Sequence, residues 1–246
     1  MRRTESSAAA SYNALSLFPG WSGAEAYVTD LINAYSCKSV LEVGAGANPT
    51  LSPATVQNAS ISYTLSDVEL GELAKAELYF DQVVLDLETT EFNNELRGQF
   101  DCVFSRMVGE HINDGRLFHE NIYKLLRPGG ISFHCFSTLW AAPFVVNRLV
   151  PEFISSRLHK TFDPRDYYKH RKFPARYSWC RGPSKAMFRR FEELGFEVRA
   201  YSGYFGHNYY YKMPWLDMAE KLKARLLLRL PSPLLCSYAT VLLQKK

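Results

Sequence analysis

Five apolar runs recur through the first 137 residues, and stretches with helical spacing lie between them. They are SVLEV from Ser39, ISYTLSD ending at Asp67, QVVLDLE running past Asp86, FDCVFSRM from Phe100, and ISFHCFS ending at Ser137. They are too continuously apolar for a sheet with one wet face, so each predicts a strand covered on both sides. Strand, helix, strand in succession predicts an α/β fold: a Rossmann-like, mostly parallel sheet with helices on both faces. DGRLFHENIYKLL reads as a helix that ends at RPGG, where Gly129 and Gly130 supply a permissive backbone. SKAMFRRFEELGFEV reads as another, with Ser184 as N-cap, Gly195 as C-cap and a strand from Phe196. LLCSYATVLLQKK closes the chain as a β-branched strand.

The length of 246 residues and the 47% hydrophobic content suit one domain over 1–246. Two inserts interrupt its second half: an aromatic and basic lid over 140–183, and a second insert over 204–233. No apolar run is long enough to span a membrane. MRRTESSAAASYNAL has no apolar stretch behind its arginines, so no secretory signal is expected. The five cysteines show no C-x-x-C spacing, which argues against a zinc site or disulfide framework and fits a cytoplasmic setting. No metal-ligand cluster is found. A net charge of +4 is below that of a dedicated nucleic-acid binder.

In open parallel sheets the ligand sits at the carboxyl ends of the strands. The first run ends in VGAGANPT, where Gly44 and Gly46 allow close backbone approach, but Asn48 and Pro49 depart from the third glycine that a pyrophosphate-binding turn carries. The plainer reading is an ordinary strand-to-helix turn. Three carboxylates weigh against that. Asp67 ends the next strand, where a ribose would be held, and Asp86 ends the third, where a base could be read. Glu42 lies inside the first strand, and a buried carboxylate needs a partner, which a cationic ligand would supply. Such a carboxylate suits S-adenosylmethionine (SAM), which has a sulfonium and no phosphate, and would repel the pyrophosphate of a nicotinamide cofactor.

VLEVGAGAN resembles motif I of the class I SAM-dependent methyltransferases. FDCVFSRMVGEHI and LLRPGG resemble the fourth-strand motif and the turn before strand five, and Asp67 matches the acidic residue after strand two. The match runs from Val40 to Ser137 in family order. The closing helix, strand, insert, strand pattern is similar to the family's antiparallel sixth and seventh strands, so the resemblance implies a seven-stranded sheet. It also implies that Gly44, Ala45 and Gly46 line the methionine moiety and that Glu42 supports its amino group. Asp67 would hold the ribose, Asp86 and Leu87 would frame the adenine, and Ser105 and Arg106 would face the sulfonium.

A hydroxyl acceptor gains from a general base. Glu110 and His111 at the end of the fourth strand are candidates, as is His207 in the second insert. The competing readings make the first two residues that close the cofactor pocket and the third part of an aromatic surface loop. His119 and His134 read as packing residues.

The lid carries Arg157, Lys160, Arg165, Lys169, Arg171, Lys172, Arg176 and Arg181 among aromatic rings, suited to stacking on sugar rings or bases and meeting phosphates, or to closing a small core of its own. MPWLDMAEKLKARLLLRLPSP reads as a basic amphipathic helix starting near Pro214, with Trp215, Met218, Ala219, Leu222 and Leu226 on one face. It either packs on the lid or lies on an anionic membrane at the inner surface.

These features lead to a SAM-dependent methyltransferase that O-methylates a sugar hydroxyl of a glycan or lipid-linked oligosaccharide. The whole arrangement also resembles bacterial glycan O-methyltransferases, including those that decorate nodulation factors. The rivals are an RNA or small-molecule methyltransferase, a non-catalytic SAM-binding module, and a nicotinamide oxidoreductase, which Asn48 and Glu42 disfavour. RNA is the weaker acceptor, since no RNA-binding module is appended and the net charge is low.

Overall fold

The chain's structure is a computed structural model that describes residues 14–20, 22–76, 79–139 and 174–246. Among them eight strands form one sheet: β1 (Ala14–Leu17), β2 (Ser39–Val43), β3 (Ser62–Asp67), β4 (Asp81–Val84), β5 (Phe100–Arg106), β6 (Leu126–Ser137), β7 (Phe196–Phe205) and β8 (Tyr238–Lys245). The helices are α1 (Ala24–Ala34), α2 (Pro53–Ala59), α3 (Leu70–Leu73), α4 (Gly115–Leu125), α5 (Lys185–Glu193) and α6 (Pro214–Arg229).

The strand order is β1-β7-β8-β6-β5-β2-β3-β4. Every neighbouring pair is parallel except those made by β8, which runs antiparallel to both β6 and β7. The sheet has one strand more than the seven expected. The addition is β1, which pairs in parallel with the edge of β7 from Ala14↔Ser202 to Leu17↔Phe205. At four residues it is too short to show a reliable period in the sequence.

Both faces are covered, as the apolar runs require. Leu41, Val43 and Val103 point to a core shared with Phe118 and Ile122 of α4 and Met187 and Phe191 of α5. Their strand neighbours Val40, Cys102 and Phe104 point the other way, to a core with Val28 and Ile32 of α1 and Leu73 of α3. The alternation follows from the two-residue period of a strand. Ser184 caps α5 by accepting the Met187 N–H, and Asp114 caps α4 by accepting from Arg116 and Leu117.

His119 and His134 are interior residues of the α4 side. The His119 ring stacks on Trp179 at 5.5 Å and meets Phe118, Phe191 and His134 edge-on. Its Nδ1–H donates to the Gly115 carbonyl at 2.7 Å. Burial lowers its pKa from 6.5 to about 4. Above 6.5 the ring is neutral in both states and its packing is fully available. As pH falls through this window the unfolded chain takes up a proton that the fold refuses, so stability falls. We expect a loss of about 2 kcal/mol from His119 between pH 7 and about pH 5, read from urea midpoints. A flat profile there would mean that the buried ring accepts its proton in place.

Part of the lid, residues 140–173, including its cations from Arg157 to Lys172, lies outside the described residues. The part that follows is core. Trp179 packs on His119 and Phe191, and the Tyr177 and Cys180 side chains are buried. Gly182 is pressed so closely on the Pro233 carbonyl that no side chain fits there.

Candidate active site

The turn after β2 is set by backbone conformation. Gly44 and Gly46 have φ of +68° and +50°, a region that residues with a Cβ adopt at a cost. A Cβ on Gly44 would also run into the side chain of Val108. Ala45 is buried behind the turn, and its N–H donates to the Ser66 carbonyl at 3.0 Å. Ser52 then caps α2 with Pro53 in its first turn, an arrangement already visible in the letters SP.

Glu42 is 2% exposed, and groups of the chain itself satisfy it. Its carboxylate accepts from the Thr50 N–H at 2.9 Å, from the Thr50 hydroxyl and from the Tyr63 hydroxyl. The expected ligand cation is therefore not what makes its burial tolerable. A carboxylate buried in folding needs partners in the apo chain, and Thr50 and Tyr63 supply them. Burial raises the pKa of Glu42, opposed by the bonds from Thr50 and Tyr63 and by the charge of Arg106. These bonds tie the end of the 44–51 loop back onto β2 and β3.

Two cavities flank this turn and the end of β5. The smaller, about 250 Å³, brings together Gly44, Asp67, Asp86, Leu87 and His111. Asp67 accepts the Glu69 N–H through Oδ1, while Oδ2 lies 3.4 Å from where a Cβ on Gly46 would stand. Asp86 is exposed and accepts the Glu88 N–H at 2.7 Å. Leu87 is both core and wall: its carbonyl accepts from the Asn121 amide at 3.0 Å. Asp67, Asp86 and Glu88 stand in the lining, and among the described residues no Lys or Arg does. That is a poor site for a pyrophosphate and a good one for a nucleoside, with carboxylates for hydroxyls and apolar walls from Leu85, Leu87 and Phe118 for a base. Met107, with φ of +59°, turns the chain into this wall directly after β5.

The larger cavity, about 360 Å³, lies on the α1 side. Phe18, Tyr27, Phe104, Phe133 and Tyr204 give it aromatic walls, and Thr50, Arg106 and Thr240 give it polar side chains. Arg106 reaches from β5 to the turn, its guanidinium 3.4 Å from the Asn48 carbonyl. The Ser105 side chain is turned into the α4 side, with Oγ 2.7 Å from His134 Nδ1. Its hydroxyl is thus committed beneath the sheet edge, because alternation along β5 points residues 103 and 105 to the same face.

The three candidate bases lie in three settings. His111 lines the smaller cavity, and its Nδ1–H donates to the Pro174 carbonyl at 3.2 Å, which makes Nε2 the basic nitrogen. Glu110 is 3% exposed. One of its carboxylate oxygens accepts from Ser137 Oγ at 2.9 Å, and Oε2 has no hydrogen-bond partner among the described residues. Its backbone carbonyl accepts from Arg176 and Tyr177, so residues 110 and 111 together hold the returning end of the lid. Burial raises the pKa of Glu110, opposed by His111 and Ser137. His207 lies apart from both cavities, in a cleft beneath α6. Its Nδ1 accepts the Tyr209 N–H at 3.3 Å, and Nε2 faces Glu220 Oε1 at 3.5 Å. Burial lowers its pKa, opposed by Glu220. Nothing in the sequence marked Glu220 as its partner, since the two are joined only by the docking of α6.

Residues 41–132 match a family model described as a methyltransferase domain. No curated protein matches the chain in sequence. Among solved structures, an S-adenosylmethionine-dependent methyltransferase from Mesorhizobium loti superposes with a TM-score of 0.50 at 13% identity, over 90% of this chain and 98% of that one. The cyclase SpnF does so with a TM-score of 0.51 at 13% identity, over 89% and 80%. A phosphoethanolamine N-methyltransferase of Haemonchus contortus aligns at 16% identity with a TM-score of 0.48, over 85% of this chain, which spans 48% of that protein's length. The fold is that of the Mesorhizobium protein. The domain match and this fold support a SAM-dependent methyltransferase. That a cyclase shares the fold means the lining side chains, not the sheet, decide the chemistry.

Proposed function

We propose that this protein transfers the methyl group of SAM to a sugar hydroxyl of a glycan or lipid-linked oligosaccharide. The observation that carries the cofactor assignment is the 250 Å³ cavity, which joins the glycine turn to Asp67, Asp86 and Leu87 and has no cation among its described lining residues. Bound SAM supplies an electrophilic methyl group on a sulfonium. Asp67 holds the ribose hydroxyls, Leu87 and Phe118 wall the base, and Gly44 and Gly46 leave room for the amino-acid end. The aromatic cavity beside Arg106 receives the acceptor, because ring faces with a few polar atoms suit a sugar better than a flexible chain.

Glu110 is the proton acceptor in this reading. Its Oε2 has no hydrogen-bond partner among the described residues, and burial raises its pKa. His111 belongs to the cofactor wall, and His207 is engaged with Glu220. SAM would supply the electrophilic methyl carbon, and Glu110 would take the proton of the acceptor hydroxyl.

Incubation with methyl-labelled SAM and a lipid-linked glycan extract should yield label in an alkali-stable ether. Glu110→Gln should lower kcat by about 100-fold or more while leaving SAM affinity unchanged, and should remove the rise of kcat with pH through the Glu110 pKa. Loss of SAM affinity in this variant with kcat intact would place Glu110 in the cofactor pocket instead.

A further inference from the structure

Helix α6 is attached by one face and bare on the other. Ala224 is buried against Phe205 and Cys236, with Leu15 and Leu227 beside them, which fixes the helix to strands β1 and β7. Glu220 is buried on the same side and pairs with Lys223 at 2.6 Å and with His207. On the opposite face Trp215 is 68% exposed, Met218 70%, Leu222 59%, Leu226 52% and Leu230, just past the helix end, 78%. Spacings of three and four residues put these five on one stripe about 22 Å long. A row of large apolar side chains in water is unusual and marks a surface that meets something apolar.

The charges identify the partner. Between Lys212 and Arg229 there are five cations against two carboxylates. Both carboxylates are engaged: Asp217 with Lys221 at 2.6 Å, and Glu220 with Lys223 and His207. Arg225 and Arg229 flank the stripe, are exposed, and have no ion-pair partner among the described residues. Tyr211, 56% exposed with Lys212 over its ring, and Trp215 stand at the start of the helix. Apolar stripe, basic flank and interfacial aromatics are the attributes of a helix lying in the plane of an anionic bilayer. A second copy of the chain fits less well, because the exposed stripe carries arginines and no unengaged carboxylate to meet them.

We propose that α6 seats this protein on an anionic lipid surface, with the stripe from Trp215 to Leu230 at the acyl boundary and Arg225 and Arg229 among the headgroups. Phe18, at the end of β1, walls both the cleft under α6 and the larger aromatic cavity. The seating goes beyond the methyl-transfer reading and does not depend on it, since vesicle binding is measured without turnover.

The test is flotation of the full chain with phosphatidylcholine vesicles, with and without phosphatidylglycerol. The protein should float with the anionic vesicles alone and be released by high salt. Trp215 emission should shift to the blue with anionic vesicles, and this shift should be missing in Trp215→Phe. Leu222→Glu/Leu226→Glu should reduce binding by about 10-fold or more, and Arg225→Glu/Arg229→Glu should abolish the preference for phosphatidylglycerol. All four positions are exposed, so unchanged thermal midpoints should accompany these losses. Failure of the unaltered chain to float, or full binding by the leucine variant, would overturn the proposal. So would a concentration-dependent dimer that the leucine variant dissolves in the absence of vesicle binding, which would assign the stripe to a second copy.

Discussion

Asp67→Ala should weaken SAM binding by about 100-fold, measured by calorimetric titration. A carboxylate that accepts two ribose hydroxyls makes two charge-assisted hydrogen bonds, together worth about 3 kcal/mol. The unaltered protein should bind SAM and S-adenosylhomocysteine and not NAD, because Asp67, Asp86 and Glu88 face the cavity and none of its other described lining residues is a Lys or Arg. Asp67 also accepts the Glu69 N–H at 3.1 Å, so the thermal midpoint of the apo variant should be followed in parallel. A small fall in midpoint with a large fall in affinity is the expected pair. Unchanged affinity would show that the ribose is held elsewhere and would remove the main support for the cofactor assignment.

Glu42→Ala should lower the thermal midpoint by on the order of 10 °C before any ligand is added. The substitution strands three buried donors at once: the Thr50 N–H, the Thr50 hydroxyl and the Tyr63 hydroxyl. Each unsatisfied group costs about 1–3 kcal/mol, and a chain of this size loses about 2–4 °C per kcal/mol. SAM affinity should fall with stability, because the loop that Thr50 anchors carries Gly44 and Gly46. Glu42→Gln, which keeps one acceptor oxygen and the side-chain volume, should lose less of both. If Glu42 acted only on a bound amino group, the apo midpoints of both variants would match that of the unaltered chain.

These two carboxylates show how far letters alone reach. Asp67 is legible from its place after the second strand, and in the structure it lines a cavity with Gly44. Its place follows from strand order and from the rule that ligands collect at carboxyl edges, both of which are local and topological. Glu42 was expected to need a ligand cation. Its partners proved to be Thr50, eight residues on, and Tyr63, on the neighbouring strand. A hydroxyl on an adjacent strand has no sequence signature, because the contact exists only once β2 and β3 pair.

The sequence by itself determined the parallel, doubly covered sheet and the place of the nucleotide edge. It also marked the helix from Pro214 with its apolar face, since a two-residue or 3.6-residue period is written along the chain. Tertiary structure alone decided which polar groups answer one another and which apolar groups stay bare. It added β1 to the sheet edge, turned Ser105 toward His134, and gave His207 to Glu220. It joined five aromatic rings from 18 to 204 into one cavity, and left Trp215 and Leu222 facing outward. An amphipathic period shows that a helix has an apolar face, but not whether that face is covered, because covering depends on neighbours that the chain brings from far away in sequence.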